Sequence, residues 1–260
     1  MPDSRKVAIV TGSATGVGAA AAVLLARRGC NVVINYTRSA AEAKDTARRC
    51  EDCGAEALVY QADVGEDAAC RAMAEAAFER WGRIDYLINN AARTKFNPYA
   101  NLDGLSAEDF LDIYRVNVVG AYQMVRAVLP HMKRAGRGAI VNTSSIGGFT
   151  GISSSMAYAA SKAALNLLTK SLAVTLGPEV RINAVAPGAI QTRWMQAAMS
   201  PEAHEQYLRQ AAAAVPLKAV STPEQVAEVL VWFLEGAELV TGEVLLVDAG
   251  AHCGQLPSPS

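Results

Sequence analysis

Short apolar runs alternate along this chain with longer stretches whose apolar residues recur at helical spacing. The runs Lys6–Val10, Val32–Asn35, Ala57–Tyr60, Ile84–Ile88, Ala139–Asn142, Arg181–Val185 and Val244–Val247 predict strands. The stretches Ala19–Arg28, Ala40–Cys53, Glu66–Trp81, Gly120–Arg134, Met156–Leu176 and Pro223–Leu234 predict helices. This rhythm predicts an α/β fold, a mostly parallel, doubly wound sheet with helices on both faces. No linker, repeat or low-complexity block divides the chain, so residues 1–260 read as a single domain with a loose tail at 255–260.

The first strand runs into Thr11-Gly12-Ser13-Ala14-Thr15-Gly16-Val17-Gly18, and Gly29 closes the helix that follows. Strand, Gly-rich turn and helix in that order let a diphosphate reach backbone N–H groups at a helix N-terminus, where the dipole favours negative charge. The spacing is G-x-x-x-G-x-G rather than the commoner G-x-G-x-x-G.

In the helix from Met156 to Leu176, Tyr158 and Lys162 stand four residues apart, one turn apart on the same face. A free phenol titrates near about pH 10, too high for an acid or base at neutral pH. A nearby cation lowers that value by roughly 1–3 units, so Tyr158 is expected to be a proton-transfer group.

Composition narrows the function classes. Half the residues, 51%, are apolar and the net charge is −1, which leaves no strong field for nucleic acid or an anionic membrane. No run approaches the roughly 20 apolar residues that span a bilayer. The first residues lack the apolar core of a signal peptide. With five cysteines and length enough to fold without disulfides, a reducing, cytoplasmic setting is expected. Cys50 and Cys53 form an isolated C-x-x-C, and no metal role is expected of it. His131 and His204 are expected at the surface, and the histidines form no metal cluster.

In an open parallel sheet, ligands bind beyond the carboxyl ends of the strands. Small and hydrogen-bonding residues follow several of those ends: the Gly loop, Asp63, Asn89-Asn90-Ala91-Ala92, Thr143-Ser144-Ser145 and Pro187-Gly188. With Asn117 in Val116-Asn117-Val118, Tyr158/Lys162 and Thr192, these motifs occur in the order typical of the short-chain dehydrogenase/reductase family. The chain resembles the subgroup with a TGxxxGxG loop and a YxxxK site, from about Lys6 to Gly250. Ala92 stands where the family most often has Gly, and so does Ala249.

The resemblance implies a Rossmann-type fold and an NAD(P)-dependent oxidoreductase that moves a hydride between nicotinamide and a carbonyl or secondary alcohol. It implies that Tyr158 exchanges the proton, Lys162 lowers its pKa and binds the nicotinamide ribose, and Ser145 hydrogen-bonds the carbonyl oxygen. Ser144 is the other candidate by chemistry, but Ser145 fits the family spacing better. Asn117 is implied to hold a water behind Lys162. Gly12, Thr15, Gly16, Val17 and Gly18 would line the diphosphate, and Asp63 and Val64 the adenine. Asn90, Ala91 and Ala92 would support the cofactor, and Pro187, Gly188, Ile190 and Thr192 would meet its nicotinamide side.

The residues after the second strand choose the cofactor. An acidic side chain there binds a ribose 2′-hydroxyl and repels a 2′-phosphate. This chain reads Tyr36-Thr37-Arg38-Ser39, with a guanidinium and two hydroxyls for phosphate. NADP(H) is therefore expected, with NAD(H) possible. Thr15 stands where many NADP-preferring relatives carry a basic residue. The segment 189–216, with Trp194, Met195, Met199 and Tyr207, is expected to be a substrate lid, and Arg93, Phe96, Phe149 and Met156 to line the mouth. An NADPH-dependent ketone or 3-oxoacyl reductase is the leading expectation. An NAD-dependent alcohol or sugar dehydrogenase is the alternative, and a non-catalytic dinucleotide sensor the remote one. A stripe of Ala164, Leu168, Thr169, Leu172 and Thr175 is expected to pack against another subunit, and the resemblance implies a homotetramer.

Overall fold

The computed structural model describes residues 5–196 and 199–254. Strand and helix alternate from the start: β1 (Val7–Val10), α1 (Gly16–Arg27), β2 (Asn31–Tyr36), α2 (Ala40–Glu51), β3 (Ala57–Gln61), α3 (Asp67–Trp81) and β4 (Tyr86–Asn89). The second half continues with α4 (Ala107–Tyr114), α5 (Ala121–Arg134), β5 (Gly138–Thr143), α6 (Gly147–Thr150), α7 (Met156–Leu176) and β6 (Val180–Pro187). Then come α8 (Arg193–Gln196), α9 (Pro201–Ala213), α10 (Pro223–Glu235) and β7 (Val244–Val247).

The seven strands form one sheet in the order β3-β2-β1-β4-β5-β6-β7, with every pair parallel. The order reverses between β1 and β4, which opens a crevice at their carboxyl ends. Both faces of the sheet are buried, and this explains the unbroken apolar runs. In β1, Ala8 and Val10 join the core under α1 and α10, while Val7 and Ile9 join the core under α3 and α5.

Most expected boundaries shift by about one to three residues. The strand expected from Ile84 begins at Tyr86, because Asp85 is spent on its neighbours: its carboxylate accepts from Val7 N at 2.9 Å and pairs with Arg83 at 2.6 Å. The helix expected from Glu66 begins one residue later. The segment 189–216 carries two helices, α8 and α9, where only a lid was expected. The expected loose tail, 255–260, lies outside the described residues.

Both helical histidines are buried, against expectation. His131 stacks on Phe78 with ring centroids 4.4 Å apart and pairs with Glu75, and His204 is buried on α9. Their polar sequence neighbours face solvent, and that contrast hid the inward ring. One residue of the stripe expected to face another subunit turns inward, while Ala164, Leu168 and Leu172 are half-buried and Thr175 is exposed. Thr169 is fully buried and faces the sheet, while Leu167 and Val174 carry the exposed apolar surface of α7.

That burial has a purpose in placing α7. Asn89 Nδ2 donates to Asn142 Oδ1 at 3.0 Å, and Asn142 Nδ2 donates to Thr169 Oγ1 at 2.9 Å. Thr169 in turn donates to Leu165 O at 2.8 Å. The ladder ties β4, β5 and α7 together within a dry core, where position is fixed by hydrogen-bond geometry.

The isosteric change Thr169→Val removes the acceptor and strands the Asn142 amide. It is expected to lower the unfolding free energy by about 1–3 kcal/mol, measured by urea denaturation. A change below about 0.5 kcal/mol, the range of an ordinary surface substitution, would contradict this account of the ladder.

Candidate active site

The Gly loop turns sharply above β1. Gly12 and Gly16 adopt positive φ of 60° and 59°, a region that side chains disfavour. A Cβ on Gly12 would lie 2.9 Å from Ala91 Cα, and one on Gly18 would lie 2.5 Å from Asn90 Nδ2. The loop is stitched from below: Asn35 Oδ1 accepts from Gly12 N at 3.0 Å, and Ser13 N donates to Asn35 O at 2.9 Å. Asn90 Nδ2 donates to Thr11 O and Gly12 O at 3.2 and 3.1 Å. Thr11 Oγ1 accepts from the N–H groups of Asn90 and Ala91. Thr15, the N-cap of α1, makes no side-chain cap bond, so the helix start remains available to an anion. Val17 is buried beneath it. The cradle therefore fits a dinucleotide diphosphate by its backbone conformation and by what any side chain there would strike.

A cavity of about 500 Å³ opens on the outer side of the loop, between Thr15, Gly16, Glu42, Asp45, Arg49 and Glu224. Its three carboxylates suit a phosphate poorly. It touches neither Tyr158 nor Lys162.

Tyr36 is half-buried at the end of β2, Arg38 is exposed, and Ser39 starts α2 without capping it. Gln61 Nε2 donates to Thr37 O at 3.0 Å, which fixes the backbone of this segment. Arg38 has no ion-pair partner among the described residues. Glu42, in the first turn of α2, pairs instead with Arg193 of α8 at 3.1 Å. Sequence reading missed this contact because the two residues are 151 positions apart. Next to it, the Thr192 methyl comes within 3.7 Å of where a Gly16 Cβ would stand. The lid thus crosses the Gly loop and is tied to α2.

Asp63 pairs with Arg115 at 3.2 Å and accepts from Gly65 N at 2.8 Å. Arg115 was not anticipated, although it stands two residues before Asn117. Val64 is buried against Gly120, and its carbonyl accepts from Gln123 Nε2 at 2.7 Å. Ala92 is half-buried beyond Ala91. Pro187 ends β6, Gly188 lies tight against Asp248, and Ile190 bridges to Ser221.

Residues Arg115–Gly120 form a π-helical turn between α4 and α5. Such turns redirect a side chain that an α-helix would misplace. Here it points Asn117 into the protein, where Oδ1 accepts from Arg93 N at 2.7 Å. Its Nδ2 donates to Arg93 O at 3.0 Å and to Ser161 Oγ at 2.9 Å. Asn117 therefore clamps the segment after β4 to α7, one residue from Lys162.

Ser155 caps α7, its hydroxyl accepting from Tyr158 N. Tyr158 and Lys162 share a face, with Nζ 5.5 Å from the phenol ring centroid. Lys162 is buried, and Nζ donates to Thr143 O at 2.7 Å. Ser144 and Ser145 separate cleanly. Ser144 is buried and donates to Asn166 Oδ1, whereas Ser145 is half-buried and accepts only from Gly147 N at 3.1 Å among the described residues. Ser145 keeps its donor for another group. Trp194 of α8 tilts over Tyr158, ring centroids 6.1 Å apart.

In the free protein desolvation is the dominant influence on both groups. Burial pushes the Tyr158 phenol well above its ordinary value and pulls the Lys162 amine down to about 7. Each charged form loses hydration on burial. No described helix is long and apolar enough to cross a membrane.

Comparison with known proteins agrees with this geometry. A family model described as enoyl-(acyl carrier protein) reductase matches residues 12–252. A candidate ketoacyl reductase 2 of the granaticin polyketide synthase of Streptomyces violaceoruber is 42% identical over 246 residues, covering 95% of this chain and 96% of that one. The crystal structure of a candidate short-chain dehydrogenase/reductase from Burkholderia xenovorans superposes with a TM-score of 0.91 at 38% identity, over 97% of this chain and 100% of that one. A 7α-hydroxysteroid dehydrogenase solved with NADH and 7-oxo glycochenodeoxycholic acid gives a TM-score of 0.84 at 28% identity, over 94% of this chain and 93% of that one. The Gly cradle, the Ser145/Tyr158/Lys162 cluster and these matches lead to one conclusion: the chain belongs to the short-chain dehydrogenase/reductase family of NAD(P)-dependent oxidoreductases that act on CH–OH and C=O groups.

Proposed function

We propose that this protein is an NADPH-dependent reductase of ketones or 3-oxoacyl groups, with Tyr158 as the proton donor. The observation that carries this reading is the Tyr158/Lys162 pair on one face of α7, with Lys162 buried and the Ser145 hydroxyl donating to none of the described residues. The phenol is protonated at neutral pH, the form that carbonyl reduction consumes, and desolvation pushes its pKa further up. The reduced nicotinamide supplies the hydride when bound. Gly12, Gly16 and Gly18 would hold its diphosphate, and Gly188 and Thr192 would meet its nicotinamide half.

Ser145 donates a hydrogen bond to the substrate oxygen as negative charge develops there. Tyr158 gives its proton to the same oxygen. The phenolate left behind attracts positive charge on Lys162, whose value near 7 lets it take up a proton as that charge forms. Asn117 holds Arg93 and Ser161 in place, which keeps the Lys162 turn rigid. Trp194, Met156 and Phe149 are partly exposed around Tyr158 and form an apolar mouth suited to a medium-sized ketone. A reducing cytoplasmic setting fits buried, unpaired thiols such as Cys30, Cys50 and Cys70.

Cofactor choice rests on Arg38. It is exposed and has no ion-pair partner among the described residues, and Arg193 pairs with Glu42 four residues on. The guanidinium is therefore free to fork onto a 2′-phosphate.

Incubation with a panel of ketones and 3-oxoacyl thioesters, followed by absorbance of the reduced nicotinamide, tests the function. NADPH should support faster turnover than NADH, and Arg38→Ala should weaken NADPH binding by about 1.5–3 kcal/mol, leaving NADH nearly unchanged. Tyr158→Phe should cut turnover by about 10²–10⁴-fold without loss of NADPH binding. Near-normal turnover in Tyr158→Phe would overturn the proton-donor role. Tighter wild-type binding of NADH than NADPH would overturn the cofactor assignment.

Assembly follows from two separate apolar faces. Leu167 and Val174 of α7 lie exposed at 67% and 88%, and Tyr122 of α5 is also exposed. A second face carries Leu245 of the edge strand β7 and Trp232 of α10. Exposed apolar patches and an open strand edge invite burial by another copy. Two distinct self-complementary faces on one chain build a homotetramer. Light scattering at micromolar concentration should give the tetramer mass, and a fully active monomer would rule the assembly out.

A further inference from the structure

Beyond β7 the chain turns through residues 248–254, and three chemically active side chains meet there, apart from Tyr158 and Lys162. Asp248 organises the turn. Its carboxylate accepts from Gly250 N at 3.0 Å and from His252 N at 2.9 Å, and its side chain is buried. The same carboxylate faces His252 Nδ1 at 2.9 and 3.0 Å. An ionised carboxylate only accepts, so Nδ1 carries the proton, and in the neutral ring Nε2 keeps a basic lone pair. Cys253 Sγ lies 3.4 Å from that Nε2, and the thiol is exposed. The three groups thus stand in series, thiol to imidazole to carboxylate. That order suits activation of a nucleophile.

We propose that Cys253 is a nucleophilic thiol and a modification site for small disulfides, with His252 as its base and Asp248 holding the imidazole. His252 Nε2 takes the Sγ proton. The thiolate attacks one sulfur of the disulfide and forms the new S–S bond with its own electron pair. The old S–S bond breaks, its electrons leave on the departing thiolate, and that thiolate recovers the proton from Nε2. Cys253 ends as a mixed disulfide, oxidised by the disulfide that is reduced.

Other uses of the cluster fit less well. Acyl transfer needs N–H donors for an oxyanion. Here the N–H groups of Cys253 and Gly254 already donate to Gly250 O and Ala251 O. Among the described residues, no His, Cys, Asp and Glu groups are arranged to hold a metal. The remaining thiols differ in kind. Cys30, Cys50 and Cys70 are buried, and burial pushes each up to about 12. Cys53 is half-buried, and its Sγ donates to Arg49 O.

The place matters for the enzyme. Gly188, where the lid departs, packs on Asp248, and Leu217, where it returns, donates from its N–H to Ala249 O at 3.1 Å. The turn that carries Cys253 therefore anchors both ends of the lid.

The probe is 5,5′-dithiobis(2-nitrobenzoate), an aromatic disulfide whose released thiolate is coloured. It is added at neutral pH to the wild-type protein, to Cys253→Ser and to His252→Gln, and to a peptide of residues 248–254. The wild type should show one fast thiol per chain, mapped to Cys253 by mass spectrometry and absent from Cys253→Ser, which keeps its reductase activity. His252→Gln and the peptide, which has the same thiol without the turn, should each react roughly tenfold or more slowly, because less thiolate is present. A wild-type thiol no faster than the peptide would overturn the proposal. So would a fast phase that survives Cys253→Ser, or one unchanged in a folded His252→Gln.

Discussion

Lys162 is a buried amine, and most of the site answers to that fact. Its Nζ is held by one backbone carbonyl, Thr143 O, at the carboxyl end of β5. Burial brings the amine down to about 7, so a small local change in charge decides whether it carries a proton. A phenol in the same desolvated space stays protonated. The two groups are poised as neutral partners, and a negative charge on either the phenol oxygen or a bound substrate oxygen tips the amine to its cationic form. Holding such a pair in one geometry needs a rigid frame. The Asn89–Asn142–Thr169 ladder and the Asn117 clamp supply it from two sides of α7.

Sheet order places the remaining parts. Because the strand order reverses between β1 and β4, the loops after those strands diverge and leave a crevice. The Gly loop forms one wall of it and Asn90-Ala91 lies against that wall, close enough that Gly12 and Gly18 admit no side chain. The lid then crosses from β6 and ties to α2 through Arg193 and Glu42. That contact links the segment chosen for cofactor selectivity to the segment that covers Tyr158. It also removes the negative charge of Glu42 from the neighbourhood of Arg38.

What the sequence made legible was local. Apolar runs marked strands buried on both faces, and a four-residue spacing put Tyr158 beside Lys162. Gly12 and Gly16 were readable because a left-handed turn before a helix requires glycine. What escaped was set by distant partners. Thr169 sits in an apolar stripe and looked like an outer residue, but Asn142, 27 positions away, draws it inward. His131 lies among polar neighbours, yet Phe78 and Glu75 from α3 enclose it. Arg115 and the π-helical turn at Asn117 carry no periodic signal, since one extra residue in a helix turn leaves the pattern almost unchanged. The desolvation of Tyr158 and Lys162 also escaped. Spacing gives the distance between two charges but not the water that burial removes.

The central claim is that desolvation keeps Tyr158 a neutral phenol until the site is filled. Carbon-13 at the ring carbon bearing the hydroxyl reports phenol or phenolate directly by NMR. In the free protein, labelled Tyr158 should remain phenol from pH 6 through about pH 10, where an ordinary tyrosine is half ionised. A phenolate signal near pH 7 in the free protein, with the fold intact, would contradict the account.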